Sequence, residues 1–345
     1  MKKTILFIIL CIFLFTFLSS CERAQTKYSF HSFDCFDTVT AITGYADTKE
    51  EFDLVANEAI SLLREYHALY TIYERYEGKE NLCTINELTG GTHTEKKVDT
   101  RIIDMLDFAR EMHTLTGGEL NVAMGSVLSI WHDYRSFGMD DPTSATLPPL
   151  DTLREASGHT DIEKMIIDKK NSTVFLADPQ TKLDVGAIAK GYAVEMVARA
   201  LEAKGVDGYI INVGGNIRGV GTQREWTVGI ENPRDEENPY IAYLSIKNQA
   251  VVTSGCYQRF YIVDGKSYHH IIDRDTLMPS ELYLSVSVVC PSSALGDALS
   301  TALFCMPLDE GQALVASLDG VEALWVTPDG TLHYSDGFHH YEKLQ

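Results

Sequence analysis

Asp184-Val185-Gly186-Ala187-Ile188-Ala189-Lys190-Gly191-Tyr192-Ala193 places an acid, several small residues and a lysine at the entrance to a helix. The alternating Ser172-Thr173-Val174-Phe175-Leu176 before it reads as a strand. After it, Ala193, Val194, Met196, Val197, Ala200 and Leu201 recur at helical spacing. Free N–H groups and the helix dipole at such an entrance favour an anion, Gly186 lets backbone come close, and Lys190 adds a compact positive charge. A nucleotide pyrophosphate, with a metal ion beside it, would fit. Alternatively, Gly186 and Gly191 serve helix packing and Lys190 is solvated. The spacing is neither that of a P-loop nor the Gly-x-Gly-x-x-Gly of a dinucleotide fold, so other segments must decide.

The N-terminal segment bounds where the chain works. Met1-Lys2-Lys3 gives a positive start, Ile5 to Leu18 is almost unbroken apolar sequence, and Leu18-Ser19-Ser20-Cys21 follows. The apolar run is short for a spanning helix, which needs about 20 residues. It reads as a lipoprotein signal peptide over residues 1–20, with Cys21 the lipidated first residue of the mature chain and residues 21–30 a tether. The expectation is a bacterial membrane lipoprotein on the periplasmic or extracytoplasmic face. Residues 31–345 then form the body, as one domain or two closely joined lobes. A net charge of -20 argues against a nucleic-acid partner. Five cysteines remain beyond Cys21, at 35, 83, 256, 290 and 305, with no Cys-x-x-Cys pair. That excludes a zinc framework and leaves a single disulfide open.

Along the body, Phe36 to Ile42 reads as a strand and Glu51 to Leu69 as an amphipathic helix. The segment Tyr70 to Asn81 is dense in aromatics and charges, suited to stacking on a planar ring or equally to a capped surface turn. Thr100 to Thr116 forms a second helix ending at Gly117-Gly118, and Ile166 to Ala177 a hairpin turning near Lys169-Lys170-Asn171. Tyr209 to Val213 is a buried strand running into Gly214-Gly215-Asn216. Further strands follow at Trp226–Ile230, Ala242–Ile246, Ala250–Thr253 and Phe260–Val263. Strands with several long helices predict an α+β fold with mixed or antiparallel sheets.

Two later constellations concern chemistry. Tyr268-His269-His270-Ile271-Ile272-Asp273 follows a strand, so only one of the adjacent histidines can enter a given pocket. A histidine there could take the proton of a hydroxyl nucleophile, or be a buried structural group. In the N-capped helix from Ser292 to Phe304, Asp297 and Thr301 stand four apart on one face. One carboxylate and one hydroxyl suit Mg²⁺, with phosphates and waters completing the shell. Otherwise Thr301 bonds back to its own helix and Asp297 faces water.

Four motifs in order, Asp184 to Tyr192, Asn212-Val213-Gly214-Gly215-Asn216, Ser254-Gly255 with His270 to Asp273, and Asp297 to Phe304, resemble the FAD:protein FMN transferase family of ApbE-like lipoproteins. The resemblance implies a T-fold-related architecture and an enzyme that takes FAD as substrate with Mg²⁺. FMN would pass to a threonine or serine hydroxyl of an acceptor flavoprotein, such as a subunit of a sodium-pumping quinone reductase or a related electron-transfer complex, releasing AMP. It implies metal ligation by the Ala187 carbonyl with Asp297 and Thr301. Asp184 and Lys190 would hold the nucleotide, His270 would act as proton acceptor with Asp184 in the catalytic set, and Tyr73, Asn81, Ala123, Met124, Gly125, Ser254 and Ile272 would contact the flavin nucleotide.

The chain departs from the family where Arg274-Asp275-Thr276-Leu277 replaces the usual Pro-x-Thr-Gly after Asp273, and where the loop near Glu80 and Asn81 is longer. Two other functions share these features. One is an FAD pyrophosphatase yielding FMN and AMP in flavin salvage, and the other is a membrane-anchored FAD-binding lipoprotein without turnover.

Overall fold

The computed structural model describes residues 25–87, 95–234 and 237–343. The signal segment and Cys21 lie outside them. In chain order the elements are β1 (Thr26–Cys35), β2 (Thr38–Ala46), α1 (Lys49–Tyr70), α2 (Leu82–Asn86), β3 (Lys96–Lys97), α3 (Thr100–Leu115), α4 (Gly125–Asp140), α5 (Leu150–Ser157), β4 (Met165–Asp168) and β5 (Thr173–Leu176). They continue as α6 (Ala189–Ala203), β6 (Tyr209–Val213), β7 (Asn216–Val220), β8 (Trp226–Glu231), β9 (Tyr240–Ile246), β10 (Ala250–Gly255), β11 (Phe260–Val263), β12 (Lys266–His269), β13 (Ser285–Cys290), α7 (Ser293–Cys305), α8 (Leu308–Ala316), β14 (Glu322–Val326) and β15 (Leu332–Tyr334).

Eight strands make one antiparallel sheet in the order β1-β2-β6-β7-β10-β13-β14-β15, and the smaller groups β3-β5-β4, β8-β9 and β11-β12 are antiparallel too. The fold is α+β. The period-two alternation of each strand sorts the core into two layers. Val252, Val286, Val288 and Trp325 pack on the helical side with Leu63 of α1, Val194 of α6 and Leu299 of α7. Their neighbours Val251, Val289 and Leu324 pack on the other side against Trp226, Val228 and Leu244 of the β8-β9 hairpin. Every residue of β13 is therefore buried, which explains its unbroken apolar run. A third cluster of Met124, Val127, Trp131, Leu153, Tyr261, Ile272 and Leu277 joins α4, α5 and β11 to the segment that follows β12.

Two expectations are corrected. The strand read from Phe36 to Ile42 is interrupted, because Phe36 and Asp37 both adopt left-handed backbone (φ 56° and 50°) and form the tip of the β1-β2 hairpin without a glycine. The Phe36 N–H donates to His67 Nδ1 at 3.1 Å and its ring meets that imidazole edge-on at 5.3 Å, contacts that offset the local strain. The second concerns the tether, since β1 already begins at Thr26 and pairs with β2. All five described cysteines are free thiols.

Helices α6 and α7 are locked together behind the sheet by a buried ion network. Glu195 of α6 accepts from Arg218 Nε (3.1 Å), Arg199 Nε (2.8 Å) and the Ser293 N–H (2.9 Å) at the start of α7. Glu195 and Arg218 are only 2% and 3% exposed, and removing Glu195 leaves the buried guanidinium with the longer contact to Glu202 (3.4 Å) as its remaining carboxylate partner. Glu195→Ala is expected to destabilise the chain by about 3–5 kcal/mol in denaturant unfolding. A change under about 1 kcal/mol would show that Arg218 is satisfied without it.

Candidate active site

The entrance to α6 meets the middle of α7 with almost no room between them. Gly191 N–H donates to Asp297 Oδ2 at 2.8 Å, and a side chain on Gly191 would run into Asp297 Cβ and the Ser293 carbonyl. Asp297 is 4% exposed. Its other oxygen accepts from Asn216 Nδ2 at 3.2 Å and lies 3.7 Å from Lys190 Nζ. One turn along α7, the Thr301 hydroxyl lies 3.2 Å from Ser254 Oγ, which is itself 2.9 Å from Ser300 Oγ. Asn216 Oδ1 is buried with no hydrogen-bond partner, leaving an acceptor oxygen beside the carboxylate.

These groups line a cavity of about 460 Å³, large enough for a nucleotide. The structure brings ten of the expected residues to it: Tyr73, Met124, Asp184, Ala187, Lys190, Ser254, His270, Ile272, Asp297 and Thr301. Three do not line it. Asn81 is fully buried and caps α2, its amide donating to the carbonyls of Ala68 (3.0 Å) and Glu74 (2.8 Å) and its oxygen accepting from the Thr84 N–H. All its polar capacity is spent on the scaffold. Ala123 is a core residue with no exposed surface. Gly125 begins α4 so close to the backbone of Lys182 and Leu183 that it serves packing. The neighbouring Glu80 pairs with Lys96 on the surface.

The two histidines divide as strand alternation requires. His269 is buried, with Nε2 donating to the Ser280 carbonyl at 2.8 Å and Nδ1 accepting from the Ile271 N–H at 3.2 Å. His270 enters the cavity, and its Nδ1 lies 3.3 Å from the Arg259 carbonyl. A carbonyl can only accept, so the hydrogen sits on Nδ1 and Nε2 is the free base. Burial, together with the positive charges of Arg259, Arg135 and Lys190, pushes the His270 pKa down to about 3. The ring is therefore neutral, and competent as a proton acceptor, throughout the neutral range. Asp184 accepts from the Gly186 N–H at 2.8 Å and shapes the turn into α6. Burial pushes its carboxyl above the ordinary range, against the pull of that hydrogen bond and of His132, Arg135 and Arg259.

The structure adds residues that motif reading passed over. His132 and Arg135 line the cavity from α4, together with Leu128 and Trp131. Tyr73 lies over His132, with ring centroids 4.8 Å apart and planes 30° apart. The i, i+3, i+4 and i+7 spacing of Leu128, Trp131, His132 and Arg135 is the signal in the sequence that places them on one helix face. Arg259 reaches the cavity from the approach to β11 and Asp37 from the β1-β2 tip. Neither carries a local signature.

The donor set is consistent with a hard cation. It offers the Asp297 carboxylate, the Thr301 hydroxyl with Ser254 beside it, and the residue Ala187, with the partnerless Asn216 oxygen nearby. No group of three or more His, Cys, Asp or Glu able to hold a metal alone occurs among the described residues. Mg²⁺ would thus rely on phosphate and water oxygens for much of its shell. Fold and cavity together suit a nucleotide-sized ligand that carries phosphate groups.

The ApbE family model matches residues 36–325. An FAD:protein FMN transferase of Treponema pallidum is 34% identical over 257 residues, covering 70% of this chain and 69% of that protein. One of Klebsiella pneumoniae is 29% identical over 276 residues, covering 80% and 83%. The crystal structure of the ApbE protein of Thermotoga maritima superposes with a TM-score of 0.79 at 26% identity, covering 92% of this chain and all of that one. The chain belongs to the ApbE family.

Two outcomes are expected. Gly191→Ala should force α6 and α7 apart at a cost of about 1–3 kcal/mol in denaturant unfolding. Because His270 binds its proton only near pH 3 when folded but near 6.5 when unfolded, the unfolded state takes up the extra proton between those values. Its contribution to stability is complete above pH 6.5 and is lost as pH falls toward 3. Denaturation curves of His270→Asn should show a shallower acid slope than wild type across that window, and identical slopes would contradict the assignment.

Proposed function

We propose that the chain is a Mg²⁺-dependent FAD:protein FMN transferase that moves FMN from FAD to a threonine or serine hydroxyl of an acceptor flavoprotein. The observation that carries this reading is the presence in one cavity of a buried oxygen-donor wall, Asp297 with Thr301, and a neutral imidazole with a free Nε2, His270. Membership in a family whose relatives bear that activity as their name supports it.

Lys190, Arg135 and Arg259 attract the diphosphate into a chain that is otherwise strongly acidic. Tyr73 and Met124 lie where a flavin ring can be contacted, with Ser254 and Ile272 on the adjoining wall. Ala187, Asp297 and Thr301 would hold Mg²⁺, which when bound would supply neutralisation of charge on the phosphates. His270 Nε2 takes the proton of the acceptor hydroxyl as its oxygen bonds to the FMN phosphorus. The bond from that phosphorus to the bridging oxygen breaks, and AMP departs with the electron pair. With water in place of the hydroxyl the same residues would yield free FMN and AMP.

We further propose attachment to a membrane through a lipidated Cys21, with the chain from β1 onward as the catalytic body and subunits of sodium-pumping quinone reductases or related complexes as acceptors. The support for the anchor is the signal-like sequence of residues 1–20. No helix among the described residues is long and apolar enough to cross a membrane.

The full chain with FAD, Mg²⁺ and an acceptor protein should produce AMP and covalently flavinylated acceptor in equal amounts. Asp297→Ala should lose at least about 100-fold in rate, the scale of removing one electrostatic contact to a transition state. AMP with free FMN alone would make the enzyme a hydrolase, and bound FAD without AMP would make it a carrier.

A further inference from the structure

We propose that Arg274 is a positioning residue for His270, clamping the segment that carries the imidazole onto the Gly117-Gly118-Glu119 turn of the same cavity wall. The inference rests on the transferase reading for its kinetic consequence, although not for the clamp itself.

His270 stands at the head of a long connection between β12 and β13 that contains no helix or strand. A base must be held to well under an ångström, so such a connection needs outside anchors. Part of the bracing is internal, from His269 to Ser280 and from Asp273 Oδ1 to the N–H groups of Asp275 (3.1 Å) and Thr276 (2.7 Å). Trp131 Nε1 of α4 donates to the Leu277 carbonyl at 2.9 Å, at a residue whose backbone is left-handed (φ 61°) without being glycine. Neither anchor fixes the connection to the turn after α3.

Arg274 does so with two arms of its guanidinium. Nη1 donates to the Gly117 carbonyl at 2.9 Å, and Nη2 lies 3.1 Å from Glu119 Oε1. Gly118 between them is left-handed (φ 91°), and a side chain there would occupy the place of Arg274 Nη1. The turn closes α3, with Gly118 N–H bonded to the His113 carbonyl at 2.8 Å, so the cation also sits at a helix C-terminus, where positive charge is favoured.

Both stretches joined by the clamp reach the cavity, one through Glu119 and Asn121 and the other through His270 and Ile272, whereas Arg274 does not line it. Arg274 can therefore act on chemistry only through the cavity-lining residues of the two stretches it joins, among which His270 is the proton acceptor of the proposed reaction. Arg274 is about one third exposed, so the pair adds little to global stability and its loss should be felt locally.

The test is steady-state kinetics and amide hydrogen exchange on the full chain with FAD, Mg²⁺ and acceptor. Arg274→Ala should lower kcat by at least about tenfold while the KM for FAD stays within about twofold, and should speed exchange at residues 270–278 only. Glu119→Gln, which keeps shape and removes charge, should act in the same direction. The paired reversal Glu119→Arg with Arg274→Glu should recover more kcat than either reversal alone.

Unchanged kcat and exchange would overturn the proposal. So would a defect confined to KM, or a fall in Tm with exchange rising throughout the chain. If the wild type makes no AMP while exchange at 270–278 still rises in the variants, the transferase reading fails and the clamp stands.

Discussion

The hydrogen bond from Gly191 N–H to the Asp297 carboxylate is the constraint on which the site depends. It can form only because α6 and α7 touch backbone to side chain, which requires the missing Cβ of Gly191 and the alignment imposed by Glu195. One contact brings together the lysine at the start of α6, the carboxylate in the middle of α7 and Thr301 a turn further along. The central strands behind them, buried on both faces, are what keep the two helices at a fixed distance.

Much of this could be read from residues in order. The Asp184 to Ala193 run enters a helix as its spacing requires, Asp297 and Thr301 share a face, and alternation sends His270 rather than His269 into the cavity. These are local consequences of a helical or strand period. Long-range placement was not legible. Nothing near Arg259 or Asp37 in the chain says that either meets His270 and Asp184 in one cavity, because only the packed sheet and hairpin tip bring them there. Asn81 shows the converse failure. It resembled a ligand-contacting residue by position, but an asparagine before a short helix also satisfies helix N–H groups, and that use consumed its side chain.

Charges of both signs meet in the cavity, where Asp37, Glu119, Asp184 and Asp297 stand among three cations. A chain of net charge -20 repels anions at long range, yet Lys190, Arg135 and Arg259 converge on this one cavity. The same cations lower the proton affinity of His270 and so keep a base available beside an anionic substrate. In the proposed function, binding of charge and activation of the nucleophile would thus arise from one set of residues.

The central claim of the proposed reading is that a metal ion would belong to the nucleotide as much as to the protein, because no group of three or more His, Cys, Asp or Glu able to hold one alone occurs among the described residues. Titration of the full chain with Mn²⁺, followed by electron paramagnetic resonance with and without FAD, tests this directly. The account predicts that FAD tightens Mn²⁺ binding by at least about tenfold and that this coupling disappears in Asp297→Ala. Equal affinity with and without FAD, or coupling that survives the loss of Asp297, would contradict it.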